Sequence, residues 1–172
     1  MTEATSAITP TSITARIHFP DGGNWKSISN DWTDTSWSEE LLGIVLALAV
    51  GDEVVYLTGS ALPSSQSDTA KVEITIITAS SVIMADFTVG SRPNNHTSWQ
   101  ILKHDVRAYA RSAISSVRVE PAPIAQATGR SKTGQVAAWI IVAEQRRRLP
   151  ASSDADYDTQ LEVLLPKITT SW

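Results

Sequence analysis

The pattern of apolar and polar positions divides the chain into short strand-like segments and two helical ones. Residues 13–19 alternate, Asp21-Gly22-Gly23 supplies the positive-φ residues of a tight turn, and residues 25–28 form a second short stretch. We therefore expect a β-hairpin within residues 13–36, as an extension ahead of the main domain. Residues 1–12 have no basic segment leading into an apolar one, so they predict a flexible leader rather than a signal peptide.

Residues 37–50 have the pattern of a helix. Ser36 can cap its start, Glu39 can bond back three residues later, and Gly51 is a typical left-handed terminator. After the first turn this helix is apolar on every side, unlike a surface helix with a single apolar stripe. It must therefore be covered on more than one face.

Two arrangements can supply that cover. In one, Trp25, Ile28 and Trp32 fold over the helix as a lid within the monomer; in the other, a second copy of the chain packs on it. The second arrangement predicts a homo-oligomer. Its expected interface residues are Leu41, Leu42, Ile44, Val45 and Leu48.

The middle of the chain has the two-residue period of β-strands. Strands are predicted at residues 53–58, 72–76, 82–87 and 99–110, with a turn at Ala79-Ser80-Ser81. In the last of these, Lys103, Asp105, Arg107 and Tyr109 alternate with Leu102, Val106, Ala108 and Ala110. His104 falls on the apolar side, where a core histidine is the expected interpretation.

The C-terminal part adds strands and a second helix. Strands are expected near residues 114–119 and 139–142, and residues 145–149 either continue the latter or return beside it. Helical spacing then indicates a helix near 155–165, with Pro166 limiting its last turn. The predicted fold class is α+β, a single domain over residues 13–168 with six to eight antiparallel strands.

Three short stretches resemble the bacterial PH-like (pleckstrin-homology-like) domains. They are Gly51-Asp52-Glu53-Val54-Val55-Tyr56, the threonine-containing break Ile76-Ile77-Thr78-Ala79-Ser80-Ser81-Val82-Ile83, and Ala113-Ile114-Ser115-Ser116-Val117-Arg118-Val119. The resemblance implies a bent antiparallel sheet or partial barrel closed at one end by the terminal helix. It also implies ring-like or other homo-oligomers without enzymatic activity, and it does not itself imply phosphoinositide binding.

Composition narrows the setting. The chain has no cysteine, which excludes disulfides and thiolate sites, and its longest charge-free apolar run, residues 41–51, is too short to span a bilayer. We therefore expect a cytoplasmic protein without a transmembrane segment. The net charge is −4.

That charge is distributed unevenly. Residues 1–70 carry nine acids against Arg16 and Lys26, whereas residues 92–148 carry ten basic side chains against three acids. Basic side chains can bind phosphate groups on a lipid, nucleotide or nucleic acid, or can form a solvated face that pairs with the acidic half. The candidate ligand-binding residues are Lys103, Arg107, Arg111, Arg146, Arg147 and Arg148.

No motif indicates catalysis. The three histidines, His18, His96 and His104, lack the spacing of metal ligands, and no G-x-S-x-G elbow or phosphate loop is present. We expect no metal, no cofactor and no enzyme. The leading hypothesis is an interaction or scaffold module acting through protein contacts. A binder of an anionic ligand and a phage or cell-surface structural component are the alternatives.

Overall fold

A computed structural model describes residues 17–18, 36–49, 51–63, 69–92, 95–121, 136–149 and 159–169. The elements in chain order are β1 (Ile17–His18), α1 (Ser36–Leu48), β2 (Val54–Pro63), β3 (Thr69–Thr78), β4 (Ser81–Arg92), β5 (Asn95–Ala110), a 3₁₀ turn (Arg111–Ala113), β6 (Ile114–Pro121), β7 (Val136–Val142), β8 (Gln145–Leu149) and α2 (Thr159–Thr169). The prediction of a mostly antiparallel β fold is confirmed. The predicted leader and the return strand at 25–28 lie outside the described residues.

The strands form two sheets. One has the order β1-β2-β3-β4-β5 and the other the order β6-β7-β8, with sequential neighbours paired throughout. All pairs are antiparallel except that the two residues of β1 run parallel to β2, with Ile17 beside Gly59. The Ala79-Ser80 turn between β3 and β4 lies where the sequence predicted it.

Helix α1 packs on one face of the five-stranded sheet, which we call the helix face. Leu41, Val45 and Ala49 recur every four residues, as one side of a helix requires, and all three are buried in the core beneath it. On its other side Ala47 is exposed and Leu48 is 44% exposed. The two sources of further cover that the sequence offers, a lid of Trp25, Ile28 and Trp32 or a second copy of the chain, lie outside the described residues.

The three-stranded sheet and α2 pack on the opposite face, at one end. Their shared core contains Tyr56, Ile77, Val82, Met84, Ile114, Ala138, Ile140, Val142, Leu149, Leu161, Leu164 and Ile168. Helix α2 continues beyond Pro166 to Thr169 instead of ending there, because burial of Ile168 on the sheets outweighs the one backbone donor that proline lacks. Neither described helix is long and apolar enough to cross a membrane.

Strand β5 departs from the uninterrupted period that its sequence suggested. Thr88 pairs with Lys103 but Val89 pairs with Ile101, so Leu102 is the extra residue of a β-bulge. Because of this extra residue, Ile101 rather than Leu102 lies on the same face as Val106 and packs with it on the helix face. Leu102 is 50% exposed. The prediction of a core histidine was wrong, since His104 is exposed on this outermost strand, with its ring centroid 6.4 Å from that of Phe87.

Two glycines of this region allow a matched stability test. Gly51 has φ +81° whereas Gly43 lies within α1, and a Cβ at either position would meet no atom within 4 Å. Gly51→Ala is therefore expected to lower the free energy of unfolding by about 1 kcal/mol through backbone strain alone, whereas Gly43→Ala raises it by about 0.5–1 kcal/mol. Urea unfolding measures both, and equal effects of the two substitutions would contradict the left-handed terminator.

Candidate functional site

The face of the five-stranded sheet opposite α1, which we call the groove face, carries its side chains in cross-strand rows. The register aligns Ile77, Val82 and Tyr109, then Thr75, Met84 and Arg107, then Glu73, Asp86 and Asp105, and finally Lys71, Thr88 and Lys103. Successive rows lie about 7 Å apart along the strands. The face thus changes from apolar, where the second sheet covers it, to acidic and then to basic.

The outer rows line an open groove of about 410 Å³. Its walls are formed by side chains of β3, β4 and β5, together with Arg147 from β8. The groove lies where the cover provided by the second sheet stops. It therefore joins charged groups from both sheets at one place.

Arg147 closes the inner end of the groove. It lies opposite Ile140 in the second sheet, on the side that faces the shared core, and its side chain is only 14% exposed. The guanidinium forms an ion pair with Asp86 and lies 3.9 Å from a carboxylate oxygen of Glu73. One arginine of β8 thereby connects the two sheets.

The turn before β8 determines that it is Arg147 that faces inward. Val142 pairs with Gln145, which leaves a two-residue loop of Ala143 and Glu144 with φ angles of 46° and 70°. Positive φ at both positions is the geometry of a type I′ hairpin, whose twist matches that of the flanking strands. The resulting register places alternate residues of β8 on opposite faces. The residues 145–149 therefore return beside β7 and do not continue it.

The predicted triplet Arg146, Arg147 and Arg148 is split by this alternation. Arg146 lies on the outer face of the sheet, with its guanidinium carbon 3.9 Å from the centroid of the Trp139 ring, and Arg148 is the cross-strand neighbour of Trp139 on that same face. Trp139 in turn donates from its ring nitrogen to Glu120 at 3.1 Å. Because a strand turns successive side chains to opposite faces, Arg147 lies on the face opposite that of Arg146 and Arg148.

Lys103 and Arg107 do share the groove face, as their spacing predicted. Arg107 forms a two-pronged interaction with Asp105, at 2.9 Å from its Nε and 2.7 Å from a terminal nitrogen. Lys103 lies at the open end of the groove, in one row with Thr88 and Lys71. Of the predicted basic set, Lys103 and Arg147 line the groove, and Arg107 lies on the same face outside its lining.

Arg111 lies away from the groove, between the β3–β4 turn and the C-terminal end of α2. Its guanidinium donates to the carbonyl oxygens of Thr78 at 3.5 Å and Ala79 at 3.4 Å, and to that of Lys167 in the last turn of α2 at 3.3 Å. Carbonyls at a helix C-terminus lack partners within the helix and favour a cation. Arg111 thus connects α2 to the β3–β4 turn, and it lies apart from the groove.

Asp52 accepts hydrogen bonds from the same β3–β4 turn. One of its carboxylate oxygens accepts from the hydroxyls of Thr78 and Ser80 and from the Ser80 backbone N–H at 3.1 Å. The hydrogen bonds from the hydroxyls of Ser80 and Thr78 lower the pKa of Asp52, and the one from Ser80 has the larger effect. Two of the stretches that carry the PH-like resemblance, around Asp52 and around Thr78, therefore meet in space.

The predicted interface on α1 is also divided. Leu41 and Val45 are fully buried within the chain, so their role is in its own core, and Ile44 is partly buried against that core. Leu48 is left on the outside, and the side chain of Leu42 lies outside the described residues. Among the predicted interface residues whose side chains the structure describes, Leu48 is therefore the most exposed.

The sequence did not identify Lys71, Glu73, Asp86 and Thr88. Lys71 and Glu73 lie in β3 and Asp86 and Thr88 lie in β4, and only the pairing of β3 with β4 and β5 brings them into rows. The available signal was a charge at alternate positions, at Lys71 and Glu73 in β3 and at Asp86 in β4. No group of three or more potential metal ligands occurs among the residues that the structure places.

The hydrogen bonds to Asp52 predict that the stability of the fold depends on pH. A carboxyl whose pKa is lower in the folded than in the unfolded chain stabilises the fold above its ordinary pKa, near 4, and that stabilisation is lost as the pH falls through the folded value. Asp52→Asn should therefore be less stable than the parent at pH 7, and the difference should narrow below about pH 4. Urea midpoints across this range measure it. Ser80→Ala removes one of the hydrogen bonds that lower this pKa, so its difference in stability from the parent should also narrow below about pH 4. A difference in stability that is independent of pH would contradict the assignment.

Comparison of the chain with models of protein families, with curated proteins and with solved structures gave no match.

Proposed function

We propose that this chain is a non-catalytic binding module of PH-like type, and that its groove takes an anionic group. The observation that carries the proposal is the row Lys71, Thr88 and Lys103 at the open end of the groove. Two ammonium groups and a hydroxyl are donors suited to a phosphate or carboxylate. An anion held above Thr88 would be flanked by a lysine on each side.

The charges of the groove lining are equal in number, Lys71, Lys103 and Arg147 against three acids, and it is the way they pair that favours an anion. Asp86 and Glu73 interact with Arg147, and Asp105 interacts with Arg107. Lys71 and Lys103, by contrast, have no ion pair or hydrogen bond with any part of the chain that the structure describes. The positive charge available to a ligand is therefore that of the two lysines.

The spacing of these lysines indicates the size of the group. They are on β3 and β5, on either side of β4, so their backbones lie about 10 Å apart, two strand spacings. Lysine side chains are long and flexible enough to converge across that gap. A compact group such as a phosphate monoester fits this arrangement, with the rest of its molecule directed along the groove towards Arg147.

The order of elements supports the PH-like part of the proposal. Four consecutive antiparallel strands, β2 to β5, are followed by three more, β6 to β8, and then by α2, which packs in the core shared by both sheets. The resemblance implied a bent antiparallel sheet closed by a terminal helix. In addition, Asp52 and Thr78 form a hydrogen bond that links two of the resembling stretches.

A binding screen with matched variants tests this function. The probes are inorganic phosphate, nucleotides, phosphoinositide-containing vesicles and single-stranded DNA, each at two salt concentrations. Because a hydrogen bond to a charged group contributes about 1.5–3 kcal/mol, Lys71→Ala and Lys103→Ala should each weaken binding about tenfold or more, and added salt should weaken it further.

The control is Arg118→Ala on β6, a charge whose side chain is 73% exposed and lies outside the groove. It should leave binding unchanged. Absence of binding to every probe, or binding that survives loss of both lysines, would contradict the proposal. Preference among the probes separates a lipid headgroup from a free phosphate or a nucleic acid.

A further inference from the structure

Strand β5 is an open edge of the five-stranded sheet. Within the described ranges it pairs with β4 only, although it extends over 16 residues. The outward N–H and C=O groups of an edge strand can pair with another strand, and proteins obstruct such edges with proline, bulges, very short strands or charged side chains. The stretch Lys103–Ala110 has no proline and no bulge, since it pairs residue by residue with Ser81–Thr88 and the bulge at Leu102 comes before it, so only its charges could oppose a second strand.

The charges on this stretch are complementary to themselves. In an antiparallel pair of two copies centred on Val106, Asp105 lies opposite Arg107 of the second copy, and Arg107 opposite Asp105. Directly opposed unlike charges stabilise a strand pair, whereas like charges destabilise it. The same register places Lys103 opposite Tyr109, which combines a cation with an aromatic ring.

Neighbouring registers are less favourable. Centring the pair on Asp105 would oppose two aspartates and would place Lys103 against Arg107. Centring it on His104 would draw the bulged Leu102 into the pairing. We propose that two copies of this chain associate through β5 in antiparallel register about Val106, forming one continuous ten-stranded sheet from the two five-stranded sheets.

Helix α1 is compatible with this dimer. The two-fold axis of such a pair is perpendicular to the sheet, so corresponding faces of both copies lie on the same side. Because α1 contacts β4 and β5, both helices would lie on one face, beside the junction.

Strand β6, at one edge of the three-stranded sheet, is less suitable and provides a control. Strand β6 also carries an exposed pair two residues apart, Arg118 and Glu120, at 3.1 Å. Pro121 follows at once and cannot donate to a further strand. We therefore expect no association through β6.

The experiment is a charge exchange followed by light scattering after size exclusion, on the whole chain at high micromolar concentration. The parent should have twice the 18.6 kDa mass of the chain. Asp105→Arg alone and Arg107→Asp alone should each be monomeric, since each opposes like charges twice. An equimolar mixture of the two variants should recover the dimer, because arginines of one copy then face aspartates of the other.

Recovery of the dimer in the mixture would show that the charges pair between two copies and not only within one chain. Neither single variant has opposite charges at positions 105 and 107, so neither can form the internal pair. The double variant Asp105→Arg/Arg107→Asp should also remain dimeric, and Arg118→Glu should dimerise like the parent. Circular dichroism verifies that each variant is folded. A monomeric parent, dimers in both single variants, or a mixture that stays monomeric would overturn the proposal.

Discussion

The ion pair between Arg147 and Asp86 is the interaction on which the arrangement of the two sheets at the groove depends. The sheets share an apolar core at one end, and Arg147 lies where that core stops and the charged rows begin. A largely buried guanidinium is costly without acceptors, and carboxylate oxygens of Asp86 and Glu73 lie beside that of Arg147. The acidic row is thereby occupied, and the basic row beyond it is left open to solvent.

The hairpin between β7 and β8, whose register directs Arg147 towards the core, contains local backbone strain. Ala143 and Glu144 both have positive φ, which costs about 1–2 kcal/mol for each residue that is not glycine. A loop one residue longer or shorter would change the register and direct Arg146 or Arg148 towards the core instead. The same alternation leaves Arg146 stacked on Trp139 at the outside. Two neighbouring arginines thus have different functions because of one turn.

The sequence was informative wherever local pattern decides structure. The common face of Lys103, Asp105 and Arg107 followed from the two-residue period, and the turn at Ala79-Ser80 followed from its residues. The bulge at Leu102 and the turn at Ala143-Glu144 have no glycine, asparagine or proline to indicate them. The rows that contain Glu73 and Asp86 depend on which strands pair and in which register, and that is decided by contacts distant in sequence.

A double-mutant cycle between Arg147 and Asp86 tests the central claim most directly. The free energies of unfolding of Arg147→Met, Asp86→Asn and the double variant are compared with that of the parent by urea denaturation. A coupling of about 1–2 kcal/mol is predicted, since the pair is partly shielded from water, and Arg146→Met combined with Asp86→Asn should be additive within about 0.5 kcal/mol. Additivity for Arg147 as well would show that it does not hold the two sheets together.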